Sequence, residues 1–175
     1  MMLLQFCLVL ALGGASSASG CRWISHKFGE LHGQYLTLLR EMGAGLSAGG
    51  EEACIFDSEW HKWFLHHRHS QPQKQVWLVI ETLEQISALL NEADPVSWSE
   101  DQLGDFLSTL ERQTEGLRSC MSVRMRRSKR LPLYFNQLKV LAQSATDQVS
   151  AWEQIRRELL KVLSLLESLP ALSAI

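Results

Sequence analysis

Apolar side chains recur at intervals of three and four residues along nearly every segment of this chain, and no run alternates apolar with polar residues. A spacing near 3.6 residues places such side chains on one face of an α-helix, whereas alternation would indicate a strand. The pattern therefore predicts an all-α fold. About six helical segments sharing one core fit an up-and-down bundle with long connections.

Breaks between the periodic segments predict where the helices begin and end. The glycines of GAGLSAGG (43–50) end the first helix, Pro72 opens the third, and Ser99 with Gln102 forms a capping box for the fourth. The fifth helix is expected from Pro132, with an apolar stripe at Leu133, Leu138 and Leu141. The helices are expected over residues 21–42 and 57–67, from 72, from 100 to about 120, from 132, and over 150–169.

The first 20 residues lie outside this helical pattern. They hold an uncharged apolar run, MMLLQFCLVLAL, and a stretch of small residues, GGASSASG. This combination is typical of a secretory signal peptide cleaved before Cys21, with the cleavage position itself left open. The run is short for a membrane span and ends too early to favour a lipid-modified Cys21. We expect a signal peptide at 1–20, a single domain at 21–175, and secretion.

The net charge and the sequence motifs argue against several classes of function. A formal net charge of −2 argues against nucleic acid or an anionic membrane as the main partner. The sequence has no phosphate-binding glycine loop, nucleophile elbow or two-metal carboxylate set, so we expect neither an enzyme nor a cofactor. Histidines cluster without the usual ligand spacing, and a solvated face rather than a metal site is expected there. The cluster comprises His61, His66, His67 and His69.

The stretch SAWEQIRREL (150–159) opens the most sharply patterned helix. At about 100° per residue, its apolar side chains share one face, which we expect to be buried. They are Trp152, Ile155, Leu159, Val162, Leu163, Leu166 and Leu169. The off-core residues allow two interpretations: a solvated face with a Glu153–Arg157 pair, or a binding patch around an exposed leucine. They are Arg156 at the edge, and Arg157, Leu160, Lys161 and Ser164.

Three blocks, CRWISHKF (21–28), VSWSEDQLGDFLSTLERQTEGLRSC (96–120) and SAWEQIRREL (150–159), together resemble type I interferons, especially those of bony fish. The resemblance spans essentially the whole mature chain. It implies an up-up-down-down helical cytokine bundle that acts as a monomer. Such a protein binds two different single-pass class II cytokine receptor chains on opposite faces and starts antiviral kinase and transcription signalling, without catalysis or direct membrane insertion.

The same resemblance assigns residues. In the family, the first helix, the first long loop and the last helix form one receptor face. The receptor-contact positions of the last helix fall here on Arg156, Arg157, Leu160, Lys161 and Ser164. This agreement with the off-core face favours the binding-patch interpretation.

Removing the signal peptide leaves three cysteines, an odd number that by itself fits one bridge and one leftover thiol. The resemblance implies that Cys21 pairs with Cys120. Four-cysteine members carry another cysteine where this chain has Ser150, which we instead expect to cap its helix in a capping box with Glu153. The chain thus looks like a two-cysteine member with an extra cysteine. Cys54 is expected to be a free thiol, with dimerisation or competition for the main bridge as alternatives.

The basic stretch RMRRSKR (124–130) contains two overlapping Arg-x-(Lys/Arg)-Arg patterns. Proprotein convertases cleave at such patterns, but a solvated connecting loop is the preferred interpretation. Two alternatives to an interferon remain at this point: another secreted helical cytokine, or a secreted amphipathic lipid-binding helical protein.

Overall fold

The computed structural model describes residues 22–43, 58–93, 95 and 97–173, and these residues form helices and connections without a β-strand. A π-helical segment, Ile24–Phe28, leads directly into the first α-helix. The α-helices are α1 (Gly29–Glu41), α2 (Ser58–His67), α3 (Pro72–Glu92), α4 (Glu100–Ser119), α5 (Arg130–Ser144), α6 (Gln148–Glu167) and α7 (Pro170–Ser173). The all-α prediction is confirmed, with α7 as a short segment that the sequence pattern did not separate.

The long helices enclose one hydrophobic core. Helix α4 packs between α1 and α3, α5 packs against α3 and α6, and α6 returns to α1. Each fully buried large side chain contributes about 1.5–3 kcal/mol to folding. The largest include Tyr35, Leu39, Phe64, Ile80, Leu83, Phe106, Leu110, Leu138 and Trp152. Because the apolar stripes face inward in this way, they are not available as a lipid-binding surface.

Helix α6 buries the face that its spacing predicts. All seven expected side chains, from Trp152 to Leu169, are buried. The predicted cap at Ser150 is wrong, because the helix begins at Gln148 and Asp147 is its N-cap. The Asp147 carboxylate accepts a hydrogen bond from the Ser150 backbone N–H at 3.2 Å. Glu153 therefore does not form the expected capping box and pairs with arginines instead.

Two other boundary predictions need correction. Ser99 does occupy the N-cap of α4, but its side chain makes no capping hydrogen bond. Helix α5 begins at Arg130 rather than Pro132, and Leu133 is 67% exposed instead of lying in the core. Spacings of three and four residues fit a different buried stripe better than the predicted one. That stripe is Leu131, Tyr134, Phe135, Leu138 and Ala142.

Candidate functional site

The off-core residues of α6 border a shallow depression of about 330 Å³. Leu160, Lys161 and Ser164 line it together with Leu165. The opposite wall is formed by Arg40 from the end of α1 and His61 from α2. Three of the five predicted site residues therefore share one concave surface, which is called the α6 patch below. Arg40 was not singled out from the sequence, although it lies at the end of the first helix that the resemblance places on the same face.

Arg156 points inward. Its side chain is only 11% exposed. Its Nε donates to Oε2 of Glu153 at 2.8 Å, and its Nη2 donates to the other oxygen of the same carboxylate. Its Nη1 donates to the backbone carbonyl of Leu39 at 3.1 Å. That carbonyl lies in the last turn of α1, where helix carbonyls lack a helical partner. Arg156 thus fastens α6 to the end of α1.

Gly43 makes room for this guanidinium. An ideal Cβ on Gly43 would lie 2.0 Å from Arg156 Nε and 2.2 Å from its Cζ. No side chain fits at that distance, so the second residue after α1 must be a glycine while Arg156 keeps this position. The glycine therefore does more than end the helix, which is all that the sequence pattern indicates.

Arg157 has the opposite orientation from its neighbour. Its side chain is 42% exposed, and its Nε lies 3.7 Å from Oε1 of Glu153. This distance is too long for a hydrogen bond, so the ion pair is weak, and the Nε atom itself is buried without a hydrogen-bond partner. The predicted Glu153–Arg157 contact exists, but it leaves most of the Arg157 guanidinium available to a partner.

A carboxylate also lies beneath Lys161. Lys161 Nζ is 3.3 Å from Oε2 of Glu158, whose side chain is largely buried. The Tyr134 hydroxyl donates to the other oxygen of Glu158 at 3.4 Å. Burial raises the pKa of Tyr134 far above its usual value, so this hydroxyl stays protonated. Lys161, like Arg156 and Arg157, is therefore held beside a carboxylate of α6 itself.

Behind the patch, the α1–α6 interface contains a buried histidine. His32 is 2% exposed, and its Nδ1 is hydrogen-bonded to the Tyr35 hydroxyl. Burial, with a smaller contribution from the charge of Arg40, lowers the pKa of His32 to about 4. Its Nε2 lies 3.8 Å from a Glu167 carboxylate oxygen and has no hydrogen-bond partner. The ring is consequently neutral at physiological pH despite the nearby carboxylate.

The cysteine predictions are only partly within the described residues. Cys120 is half-buried and directly follows α4, whereas Cys21 and Cys54 lie outside the described residues. An ideal Cβ on Gly116 would lie 1.9 Å from the Trp23 indole. The start of the first helix is therefore packed against the last turn of α4, close to Cys120. The Cys21–Cys120 bridge stays a prediction, and so does the free thiol of Cys54.

The basic loop is anchored to α3 at two points. The Ser128 backbone N–H donates to both carboxylate oxygens of Glu81, at 3.0 and 3.1 Å. Arg127 Nη2 lies 2.8 Å from Oε2 of Glu84, which also pairs with Arg118. The loop is thus solvent-exposed but attached to the bundle, and the exposure of Arg124 and Arg126 agrees with the expected solvated connection.

The histidine cluster remains largely solvated. His61, His66 and His69 are exposed, and His67 is half-buried, with a ring nitrogen donating to the Trp63 carbonyl at 2.9 Å. In the part of the chain that the structure describes, no three His, Cys, Asp or Glu side chains are arranged to hold a metal ion. No helix among the same residues is long and apolar enough to cross a membrane.

Comparisons with known proteins agree with this architecture. The family model “Interferon alpha/beta domain” matches residues 24–172. “Interferon a3” of Oncorhynchus mykiss is 35% identical over 154 residues, covering 86% of this chain and 85% of the trout protein. The solved structure of zebrafish interferon 1 superposes with a TM-score of 0.70 at 24% identity, covering 87% of this chain and 99% of the zebrafish chain.

Proposed function

Because the chain belongs to the interferon alpha/beta family, we propose that it is secreted and binds two different single-pass class II cytokine receptor chains. Clustering of those chains starts kinase signalling and an antiviral transcriptional programme. The family consists of cytokines rather than enzymes, and the proposed activity needs no cofactor. A single monomer suffices, since each receptor chain contacts a different face.

The observation that carries this proposal is the convergence of three helices on the α6 patch. Leu160 lies among cations there, which is the combination of an apolar anchor and polar surroundings found at interface hot spots. Arg40 and Lys161 flank Leu160 around the depression, and Arg157 lies on the same exposed side of α6. We assign Leu160 as the anchor and the cations as partners for acidic groups of one receptor chain.

Arg156 takes a different role in this proposal. Its guanidinium is already occupied by the Glu153 carboxylate and the Leu39 carbonyl. It has little exposed surface to offer a receptor. We therefore assign Arg156 as a positioning residue, which sets the distance between α1 and α6 and so the shape of the patch. Ser164 completes the rim of the depression.

Substitution of Leu160 tests the surface directly. Leu160→Ala in the mature chain, residues 21–175, is expected to lower the potency of antiviral gene induction in cells of the source animal by about tenfold or more. Because Leu160 is half-buried and packs against the core, a modest fall in the melting temperature is expected, whereas circular dichroism should show the helix content of the parent protein. Leu133→Ala, the same change at an exposed leucine of α5, serves as the matched control. Full potency of a folded Leu160→Ala protein would remove the assignment of this surface.

We also propose that Cys21 and Cys120 form a disulfide and that Cys54 is a free thiol. The packing of Trp23 against Gly116 supports this pairing, because it places residues near each cysteine side by side. A bridge closing about 100 residues would stabilise the fold by up to about 4.7 kcal/mol in the chain-entropy treatment. Mass spectrometry of a non-reduced digest should recover one peptide pair containing Cys21 and Cys120. A pair containing Cys54 would overturn the assignment.

A further inference from the structure

A second cleft lies away from the α6 patch, between α2, α3 and the basic loop. Its volume is about 470 Å³, and Trp63 of α2 and Trp77 of α3 contribute to its walls. Lys74, Arg126, Lys129 and Arg130 line it as well. It therefore combines an apolar wall with a cluster of positive charges, and it is called the basic cleft below.

Within the described part of the chain, no carboxylate neutralises the cations of the basic cleft. All four are exposed, and none makes an ion pair with another described residue, in contrast to Arg127, which Glu84 holds. Glu81 is the acidic group of the cleft lining, but it is buried, and both of its oxygens accept the Ser128 N–H. Burial also raises the pKa of the Glu81 carboxyl. The positive charge at the cleft thus remains available to an external anion.

Ser128 fixes the backbone from which two of these cations, Lys129 and Arg130, project. Its N–H is held by Glu81, and its Oγ accepts hydrogen bonds from the backbone N–H groups of Arg130 at 3.2 Å and Leu131 at 3.4 Å. Ser128, which precedes the N-cap Lys129, therefore satisfies two N–H groups in the first turn of α5 while it attaches the loop to α3. Lys129 and Arg130 are positioned by this double attachment, which lowers the entropy that an anionic ligand must remove on binding.

The structure assigns the basic cleft as a binding site for a segment of a sulfated glycosaminoglycan. Clustered lysines and arginines attract closely spaced sulfates, while the indoles of Trp63 and Trp77 offer an apolar wall to the carbon–hydrogen faces of sugar rings. A net charge of −2 disfavours broad attraction to nucleic acid or anionic membranes, so a local site suits a short anionic segment. This assignment relies on the proposed secretion, which places the protein where such polysaccharides occur, but not on receptor binding.

Binding of a heparin octasaccharide to the purified mature chain tests the assignment by calorimetry at physiological salt. The triple variant R126Q/K129Q/R130Q is expected to weaken binding by about tenfold or more. The control K27Q/R112Q/K139Q removes the same number of positive charges from the π-helical segment, α4 and α5 and is expected to change affinity by less than about twofold. Chemically desulfated heparin should not bind.

Three results of the binding measurements would overturn the assignment. The first is failure of the parent protein to bind the octasaccharide in the micromolar range. Equal weakening of binding in the two triple variants would indicate bulk charge rather than a site. Equal affinity for single-stranded RNA or phosphatidylserine vesicles, with loss in the same cleft variant, would indicate a different polyanion.

As a second measurement, bound octasaccharide should slow tryptic cleavage within residues 124–130, and unchanged cleavage would contradict binding at the cleft. Each measurement uses purified protein, so failure leaves the receptor proposal untouched.

Discussion

The α6 patch and the basic cleft are both rich in cations, but they differ in what lies beneath those cations. On α6, Arg156, Arg157 and Lys161 stand over the carboxylates of Glu153 and Glu158. At the basic cleft, Arg126 and its neighbours have no such carboxylate partners among the described residues. Paired cations are held in a defined geometry and suit recognition of one shaped protein surface, whereas unpaired cations suit charge-driven binding of a polyanion.

The largest effect is expected from Arg156→Ala, which tests whether the α6 patch is braced from within. The substitution leaves Glu153 and the Leu39 carbonyl without their main partner. It should lower the free energy of unfolding by about 2–4 kcal/mol. Arg157→Ala, the matched control one residue away, should change it by less than about 1 kcal/mol, because the Arg157–Glu153 pair is long and Glu153 keeps its bonds to Arg156. Guanidinium chloride titration checks both, and similar losses in the two variants would contradict the division of roles.

The substitution Gly43→Ala also tests the role of Arg156 in holding α6 to the end of α1. The added methyl group collides with the Arg156 side chain, so the single variant should be destabilised by about 1–3 kcal/mol. In the double variant with Arg156→Ala, the collision partner is gone. The two losses should therefore be clearly less than additive in a double-mutant cycle. Additive losses would show that Gly43 is required for another reason.

A pH titration of stability tests the buried histidine, His32, at the interface of α1 and α6. Its pKa is lowered to about 4 in the folded protein, from an ordinary value near 6.5, so below that ordinary value the unfolded chain binds the proton first. This contribution to stability is intact above pH 6.5, falls as the pH is lowered and levels off near pH 4. It amounts to about 3 kcal/mol in total. His32→Gln should flatten this part of the pH profile, whereas exposed His66→Gln should not. Parallel profiles for the parent and His32→Gln would contradict a neutral buried ring.

The smallest effect on stability is expected from Glu84→Gln on the cleft side. The ion pairs with Arg118 and Arg127 lie near the surface, and their loss should cost less than about 1 kcal/mol. Because the basic loop loses an attachment, trypsin should cleave within residues 124–130 several-fold faster. Glu92→Gln, which removes the exposed pair with Lys139, is the control. Unchanged cleavage of Glu84→Gln would show that Glu81 alone holds the loop.

Predictions from the sequence are most accurate where interactions between neighbouring residues determine the structure. The buried stripe of α6 follows from spacing alone, and Pro72 at the start of α3 follows from the missing proline N–H. Local sequence patterns gave wrong predictions where two residues, or two apolar stripes, could fill the same structural role. Asp147 and Ser150 each have the chemistry of a cap, and the structure uses the first. In α5, leucine was assumed to be buried, but Tyr134 and Phe135 fill the core and Leu133 faces solvent.

The site was harder to predict because its geometry depends on distant parts of the chain. A helical wheel places Arg156 at the edge of the apolar face, but not its bond to the Leu39 carbonyl, 117 residues away. The close approach of Gly43 to that guanidinium is equally invisible in the sequence. At the basic loop, the sequence shows the positive charge of residues 124–130. It does not show that Glu81, 47 residues away, holds the backbone of Ser128. Tertiary contacts decide which arginines are structural and which are available.

The most direct test of this division is a crossed experiment with two variants and two assays. Leu160→Ala and R126Q/K129Q/R130Q are each measured for antiviral gene induction in cells lacking sulfated glycosaminoglycans and for binding to a heparin octasaccharide. We expect Leu160→Ala to lose induction by about tenfold and to bind heparin normally, and the cleft variant to do the reverse. If either variant lost both activities while remaining folded, the two surfaces would not be independent, and the account would be contradicted.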